Sequence, residues 1–225
     1  MVSTIAEALE TGAFDVQRDV VVGVDLGQSV DPTAVAVVEK HTARGRTPQA
    51  DRAAREIPER FVLRVLERLP LQMPYPAQAD HLNALLRRLP VSDVPVYMDY
   101  TGVGRPVFDI MRERRVPRLE PVTIGFAGDA HRTSSGAHYV PKIDLVSRVQ
   151  SSLHRGVLDL PAGLPLVQAM RRELLDFRVT YSAAGNATFG ARSGAHDDLI
   201  LALSLALWGF GRRPLVMANL KHATR

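Results

Sequence analysis

The 225-residue sequence contains no cysteine, which excludes disulfides, thiol catalysis and zinc sites built on thiolates. It has no uninterrupted apolar run of about 18 residues, the length a membrane-spanning helix needs. The N-terminus lacks the charged, apolar and small-residue succession of a signal peptide. The G-x-x-x-x-G-K-[ST] loop that cradles nucleotide phosphates is also missing. What is present is ordinary for a soluble globular protein: 46% hydrophobic and 23% charged residues, in a length that suits one medium domain. Lys and Arg outnumber Asp and Glu by 28 to 24, for a formal charge of +4. A basic balance carried mostly by arginine is compatible with binding a phosphate backbone.

The most informative stretch is 20–38, VVVGVDLGQSVDPTAVAVV. β-Branched residues bounded by Gly, Asp and Pro predict two buried strands joined by a hairpin-like turn. Asp25 closes the first strand. A carboxylate there is costly unless it pairs with something or hydrogen-bonds the turn. Gly27 lets a ligand or another backbone approach closely. Asp31, before Pro32, reads as a turn former.

Elsewhere, residues 1–19 read as a lead-in or linker with a short helical stretch over 4–9, 20–211 as the folded domain and 212–225 as a basic flexible tail. The arginine-rich segment 41–57 reads as an exposed loop. Strands are predicted over 61–69, 94–99 and 119–124, and helices over 76–89, 107–114, 141–155 and 164–175. The Gly-, Ser- and His-rich stretch 125–138, holding His131 and His138, reads as a long loop. Segments 177–182 and 187–191 alternate about AAGN as a hairpin. The run HDDLILALSLALWGF predicts a helix apolar on nearly every side, with Trp208 in the core. This order predicts an α/β fold, a mixed sheet covered by helices.

Asp99, like Asp25, sits where an apolar strand gives way to a glycine turn. If those two strands are neighbours, the carboxylates lie side by side. Asp197 and Asp198 open a helix so apolar that it must be buried against the sheet, which would bring them to the same edge. As alternatives, Asp197 or Asp198 serves as an N-cap and Asp99 as a turn former. A converging acidic set repels itself unless a divalent cation binds. Carboxylate-only ligation favours Mg²⁺ or Mn²⁺, and two such ions support phosphodiester hydrolysis.

The combination of GVDLG…DPTAVAVV, YMDYTGVGRPV, the PK-initiated helix ending HRGVLDLP, and GAHDDLILALSLAL resembles the nuclease domain of phage terminase large subunits. The likeness spans roughly residues 20–210. It implies an RNase H-like fold and two-metal cleavage of double-stranded DNA during genome packaging. It also implies metal ligands and catalytic residues at Asp25, Asp99, Asp197 and Asp198, with Asp198 the main ligand of the pair. Candidate DNA contacts are Arg105, Arg132, Lys142 and His196. The missing phosphate loop implies an excised nuclease domain, or a free-standing one whose packaging ATPase is a separate chain. The further implied partners are the portal and small-terminase machinery, in the cytoplasm of a bacterial host and with no membrane. Two alternatives stand beside this reading. A Holliday-junction-resolvase-like nuclease would use the same carboxylates on branched DNA. An ATPase of the actin, chaperone and sugar-kinase type would use DLGQS as a phosphate turn, but that group needs two lobes and an adenosine motif that the sequence lacks.

Overall fold

Val20–Val24 and Ala34–Val38 read as unbroken apolar runs because the sheet they build is covered on both faces. The computed structural model describes residues 4–27, 31–102, 104–176, 178–181, 187–190 and 197–212. In chain order its elements are α1 (Ile5–Glu10), β1 (Phe14–Asp25), β2 (Ala34–Gly45), α2 (Pro48–Ala54), β3 (Arg60–Arg68), α3 (Tyr75–Arg87), β4 (Val96–Asp99) and α4 (Gly104–Glu113). There follow β5 (Leu119–Gly125), β6 (His131–Arg132), β7 (His138–Pro141), α5 (Lys142–His154), β8 (Leu158–Asp159), α6 (Val167–Asp176), β9 (Arg178–Tyr181), β10 (Ala187–Gly190) and α7 (Asp198–Gly209). Eight strands form one mixed sheet in the order β6-β7-β5-β4-β1-β2-β3-β8. β1, β2 and β3 run as an antiparallel meander, whereas β4, β5 and β7 lie parallel to β1. β9 and β10 pair antiparallel as expected, while the AAGN turn lies outside the described residues.

Alternation along the strands sorts the core into two layers. Val21, Ala34, Ala36, Val38, Leu63 and Tyr97 face α5, α6 and α7. Val20, Val22, Val24, Val35 and Val37 face α3 and α4 through Leu82, Leu85, Val107 and Met111. α7 is buried along its whole length, Trp208 included.

Three expectations change. Residues 1–19 are more than a lead-in: beyond the short helix expected there, now α1, they supply the first half of β1, and Ile5, Ala8 and Phe14 join a third apolar cluster. The 41–57 segment is not a loop. β2 continues in register with β1 to Gly45, and Thr47 caps α2 by accepting a hydrogen bond from the Ala50 N–H at 3.2 Å. Its apolar residues Ala43, Ala54 and Ile57 are buried in that third cluster, while Arg46 points outward to pair with Asp15 at 2.7 Å. The 125–138 loop contains the short strand β6 and ends in β7, which extends the sheet beyond β5.

Candidate functional site

β1 and β4 are neighbours, and their register sets Asp25 directly opposite Asp99. Both residues share the parity of inward-facing sheet positions on the α7 side, Gly23 in β1 and Tyr97 in β4. The turn after Asp25 is pinned from beneath by two buried polar side chains, Thr33 and Gln78, each about 1% exposed. Thr33 Oγ1 accepts from the Gly27 N–H at 2.9 Å and shares its proton between the Gly27 carbonyl at 2.7 Å and Gln78 Oε1 at 2.8 Å. Gln78 Nε2 donates to the Gly27 and Met73 carbonyls at 3.2 and 2.9 Å. A Cβ at Gly27 would fall 2.1 Å from the Asp31 carbonyl oxygen, so the close approach foreseen there is made by backbone.

Asp99 is held by its own turn. Its Oδ1 accepts from the Thr101 N–H at 2.8 Å and from the Thr101 hydroxyl at 2.5 Å. Thr101 Oγ1 in turn accepts from the Ile124 N–H at 2.7 Å, tying this turn to β5. Turn formation therefore uses one carboxylate oxygen of Asp99.

α7 delivers the remaining acids. Gly23 permits it: a Cβ there would lie 2.0 Å from the Ala202 carbonyl oxygen and 2.6 Å from the Ala206 nitrogen, so helix backbone rests directly on β1. Asp197 occupies the N-cap position, but its side chain makes no capping hydrogen bond. Instead its Oδ2 accepts from Lys142 Nζ at 2.6 Å. A side chain from another helix does the capping: Glu173 Oε2 in α6 accepts from the Ile200 N–H at 3.3 Å. Asp198, only 3% exposed, takes a two-pronged contact from Arg68, whose Nε and Nη2 reach Oδ2 and Oδ1 at 2.7 and 3.0 Å. Arg68 Nη2 also donates to Glu173.

The electrostatics register the convergence. Burial and then the charges of Asp99, Asp197 and Asp198 push the Asp25 carboxyl well above its ordinary range, with Lys142 opposing. Burial pushes Asp99 up to about 6 despite the Thr101 hydrogen bonds and Lys142. Glu173 is pushed up to about 7 by burial and by Asp198, with Arg68 opposing.

The structure thus brings Asp25, Asp99, Asp197, Asp198 and Lys142 to one sheet edge. Arg132 lies apart from them, paired with Glu120 at 2.7 Å and beside His138 at 3.0 Å. Arg105 is exposed at the start of α4. His196 lies outside the described residues. Arg68 and Glu173 were not anticipated. In the sequence they are two polar positions among many, on β3 and α6, and only the tertiary fold joins them. Asp198, expected to lead its pair, has both oxygens engaged by Arg68, whereas Asp197 is the more exposed of the two, with a side-chain exposure of 24% against 4%.

The donor set suits a hard divalent cation, since every contributing group is a carboxylate. Among the described residues, no three acidic or histidine side chains already stand at a spacing that one ion would bridge. Lys142 and Arg68 supply the positive charge at this edge.

No family model matches the chain, and no curated protein sequence does. Solved structures do. The chain resembles the large terminase nuclease from thermophilic phage G20c with bound magnesium, with 20% identity, TM-score 0.59, and 85% of this chain and 82% of that one covered. It resembles the large terminase nuclease domain of Thermus phage P74-26, with 19% identity, TM-score 0.51 and 84% and 78% covered. A third likeness is to the nuclease domain of the bacteriophage SPP1 large terminase with bound Mn, with 12% identity, TM-score 0.50 and 93% of each chain covered. The chain has the RNase H-like fold. More narrowly, the fold is similar to those of the phage large-terminase nuclease domains.

Proposed function

We propose that this chain is a divalent-metal-dependent endonuclease acting on double-stranded DNA, the nuclease of a phage packaging terminase. The observation that carries the reading is the register of β1 and β4, which sets Asp25 beside Asp99, with the α7 N-terminus adding Asp197. The fold likeness to terminase nucleases, some solved with magnesium, cobalt or manganese, supports it. Asp25, Asp99 and Asp197 would between them hold two Mg²⁺ or Mn²⁺ ions, with Asp198 adjoining. Bound there, the metal would activate a water and stabilise the leaving oxygen. The chain's own part is to hold the ligands still. Thr101 orients Asp99, Thr33 and Gln78 fix the Asp25 turn, and Glu173 frees Asp197 from capping. Lys142, paired with Asp197, would offer a cation to a scissile phosphate. Under this reading the nuclease works together with a packaging ATPase, portal and small-terminase machinery in the cytoplasm of a bacterial host.

Incubation of the purified chain with supercoiled plasmid tests this directly. Cleavage is expected with Mn²⁺ or Mg²⁺ and none in EDTA. Equal cutting with and without metal, or no cutting at any metal concentration, overturns the proposal. A preference for four-way junctions over linear duplex would instead favour a resolvase.

A further inference from the structure

At the site's edge Arg68 touches two acids from two different helices, Asp198 of α7 and Glu173 of α6. It leaves the end of β3 on the face shared with Leu66 and the α7 layer, opposite Ala34 in the register. Its guanidinium fork takes both oxygens of Asp198 and also reaches Glu173, whose other oxygen caps Ile200 in the first turn of α7. The next residue, Leu69, donates its N–H to the Thr33 carbonyl at 2.8 Å. Thr33 in turn pins the Gly27 turn that follows Asp25. A continuous chain of contacts therefore runs from the Asp25 turn through the end of β3 to the start of α7. Asp198 and Glu173 are only 3% and 8% exposed, so neither has water as a ready substitute for Arg68.

Resting on the metal-dependent reading above, we infer that Arg68, anchored by Glu173, is a positioning residue. By gripping Asp198 it fixes the first turn of α7 and so sets the neighbouring Asp197 carboxylate relative to Asp25 and Asp99. A planar fork suits this role and a lysine does not, because only guanidinium can hold both oxygens of one carboxylate in a fixed plane. Lysine at this position keeps the charge and loses the orientation. Side chains that orient ligating carboxylates affect metal binding without touching the metal.

The test uses the full chain and measures Mn²⁺ binding by calorimetry without DNA, at a temperature well below unfolding, alongside melting in EDTA. Wild type, Arg68→Lys, Glu173→Gln, Asp198→Asn and the Arg68→Lys/Asp198→Asn double variant are compared. Arg68→Lys is expected to fold and to bind Mn²⁺ about 10–100-fold more weakly, the usual cost of losing an orienting partner. Glu173→Gln should weaken binding in the same direction, since an amide oxygen cannot serve Arg68 and Ile200 as a carboxylate does. In the Asp198→Asn background, Arg68→Lys should change affinity by no more than about twofold, because its effect runs through Asp198. Two results overturn the inference. One is wild-type Mn²⁺ affinity in Arg68→Lys with only the melting temperature lowered, which is the mark of a purely structural ion pair. The other is an undiminished loss in the Asp198→Asn background. Failure of the wild type itself to bind Mn²⁺ removes the metal reading, and this inference with it, and is recognised separately because no variant enters that measurement.

Discussion

Asp197 and Asp198 are adjacent in sequence yet differ in surroundings. Asp198 is buried under the Arg68 fork, and Asp197 faces Lys142 beside the Asp25–Asp99 pair. Replacing Asp25 or Asp99 by Asn keeps shape and removes one charge from the set that would hold metal. Each variant is expected to fold and to lose more than the roughly 100-fold that outer positions cost, measured as plasmid nicking in Mn²⁺. A folded Asp99→Asn protein that cuts like wild type would remove Asp99 from the site. Asp99 carries a second, smaller effect, because its Oδ1 holds Thr101 and through it Ile124. An Asn there still offers one oxygen to Thr101, so the turn should survive the substitution.

At the scale of elements, the decisive contact is α7 on β1. The would-be Cβ of Gly23 meets helix backbone rather than a flexible side-chain tip, so the helix itself must move. Gly23→Ala is expected to cost about 3 kcal/mol, the upper part of the usual overpacking range. That lowers the melting temperature by roughly 6–12 °C, and it should also blunt any Mn²⁺-induced stabilisation because Asp197 moves with the helix. An unchanged melting curve would show that α7 does not rest on Gly23 as described. Much of this level was legible in the sequence. The two strand-terminal aspartates and the uniformly apolar last helix stood out because strand ends, glycine turns and full burial leave local patterns. The Arg68–Glu173 couple left none, since its members lie far apart in sequence and each looks like an ordinary exposed charge. The ribbon and helix of 34–54 were partly hidden for a related reason: their arginines lie outward over Ala43 and Ala54, so a basic, loop-like composition masks the buried side. The two-residue strands β6 and β8 are too short to show any period.

For the whole molecule, the net charge of +4 and the substrate proposed here imply binding dominated by phosphate contacts. Affinity for a DNA duplex should then fall by orders of magnitude between about 50 and 200 mM salt. Fluorescence anisotropy in Ca²⁺ would measure this, and a flat salt response would argue against backbone tracking.

Stability against pH reports on the acidic edge as a unit. Asp25 is raised well above its ordinary range, Asp99 to about 6 and Glu173 to about 7, so the folded protein holds these protons more tightly than the unfolded chain does. Their contribution is fully present below the unfolded values, about 3.9 for Asp and 4.3 for Glu. It is lost as pH rises through the raised folded values. In EDTA this set should therefore make the protein less stable at about pH 7.5 than at about pH 5, by on the order of 1 kcal/mol for Asp99 alone. Two groups pull the other way. His138 is lowered, chiefly by burial and Arg132, so acidification through the unfolded His range destabilises the fold. Glu39 is lowered by its hydrogen bonds to Arg64 and His41, outweighing its burial, and acts similarly only below about pH 4.5. Comparing wild type with Asp99→Asn cancels both, since neither group touches Asp99. The expected result is a difference of a few degrees: in EDTA, Asp99→Asn melts above wild type at about pH 7.5, and the gap narrows at about pH 5. Under the proposed metal reading Mn²⁺ would bind the folded state in preference to the unfolded, so it should raise the wild-type melting temperature at the higher pH by mass action and raise that of Asp99→Asn less. Parallel curves for the two proteins at both pH values, with equal Mn²⁺ shifts, would mean that Asp99 neither shares a crowded acidic edge nor helps to hold a cation there.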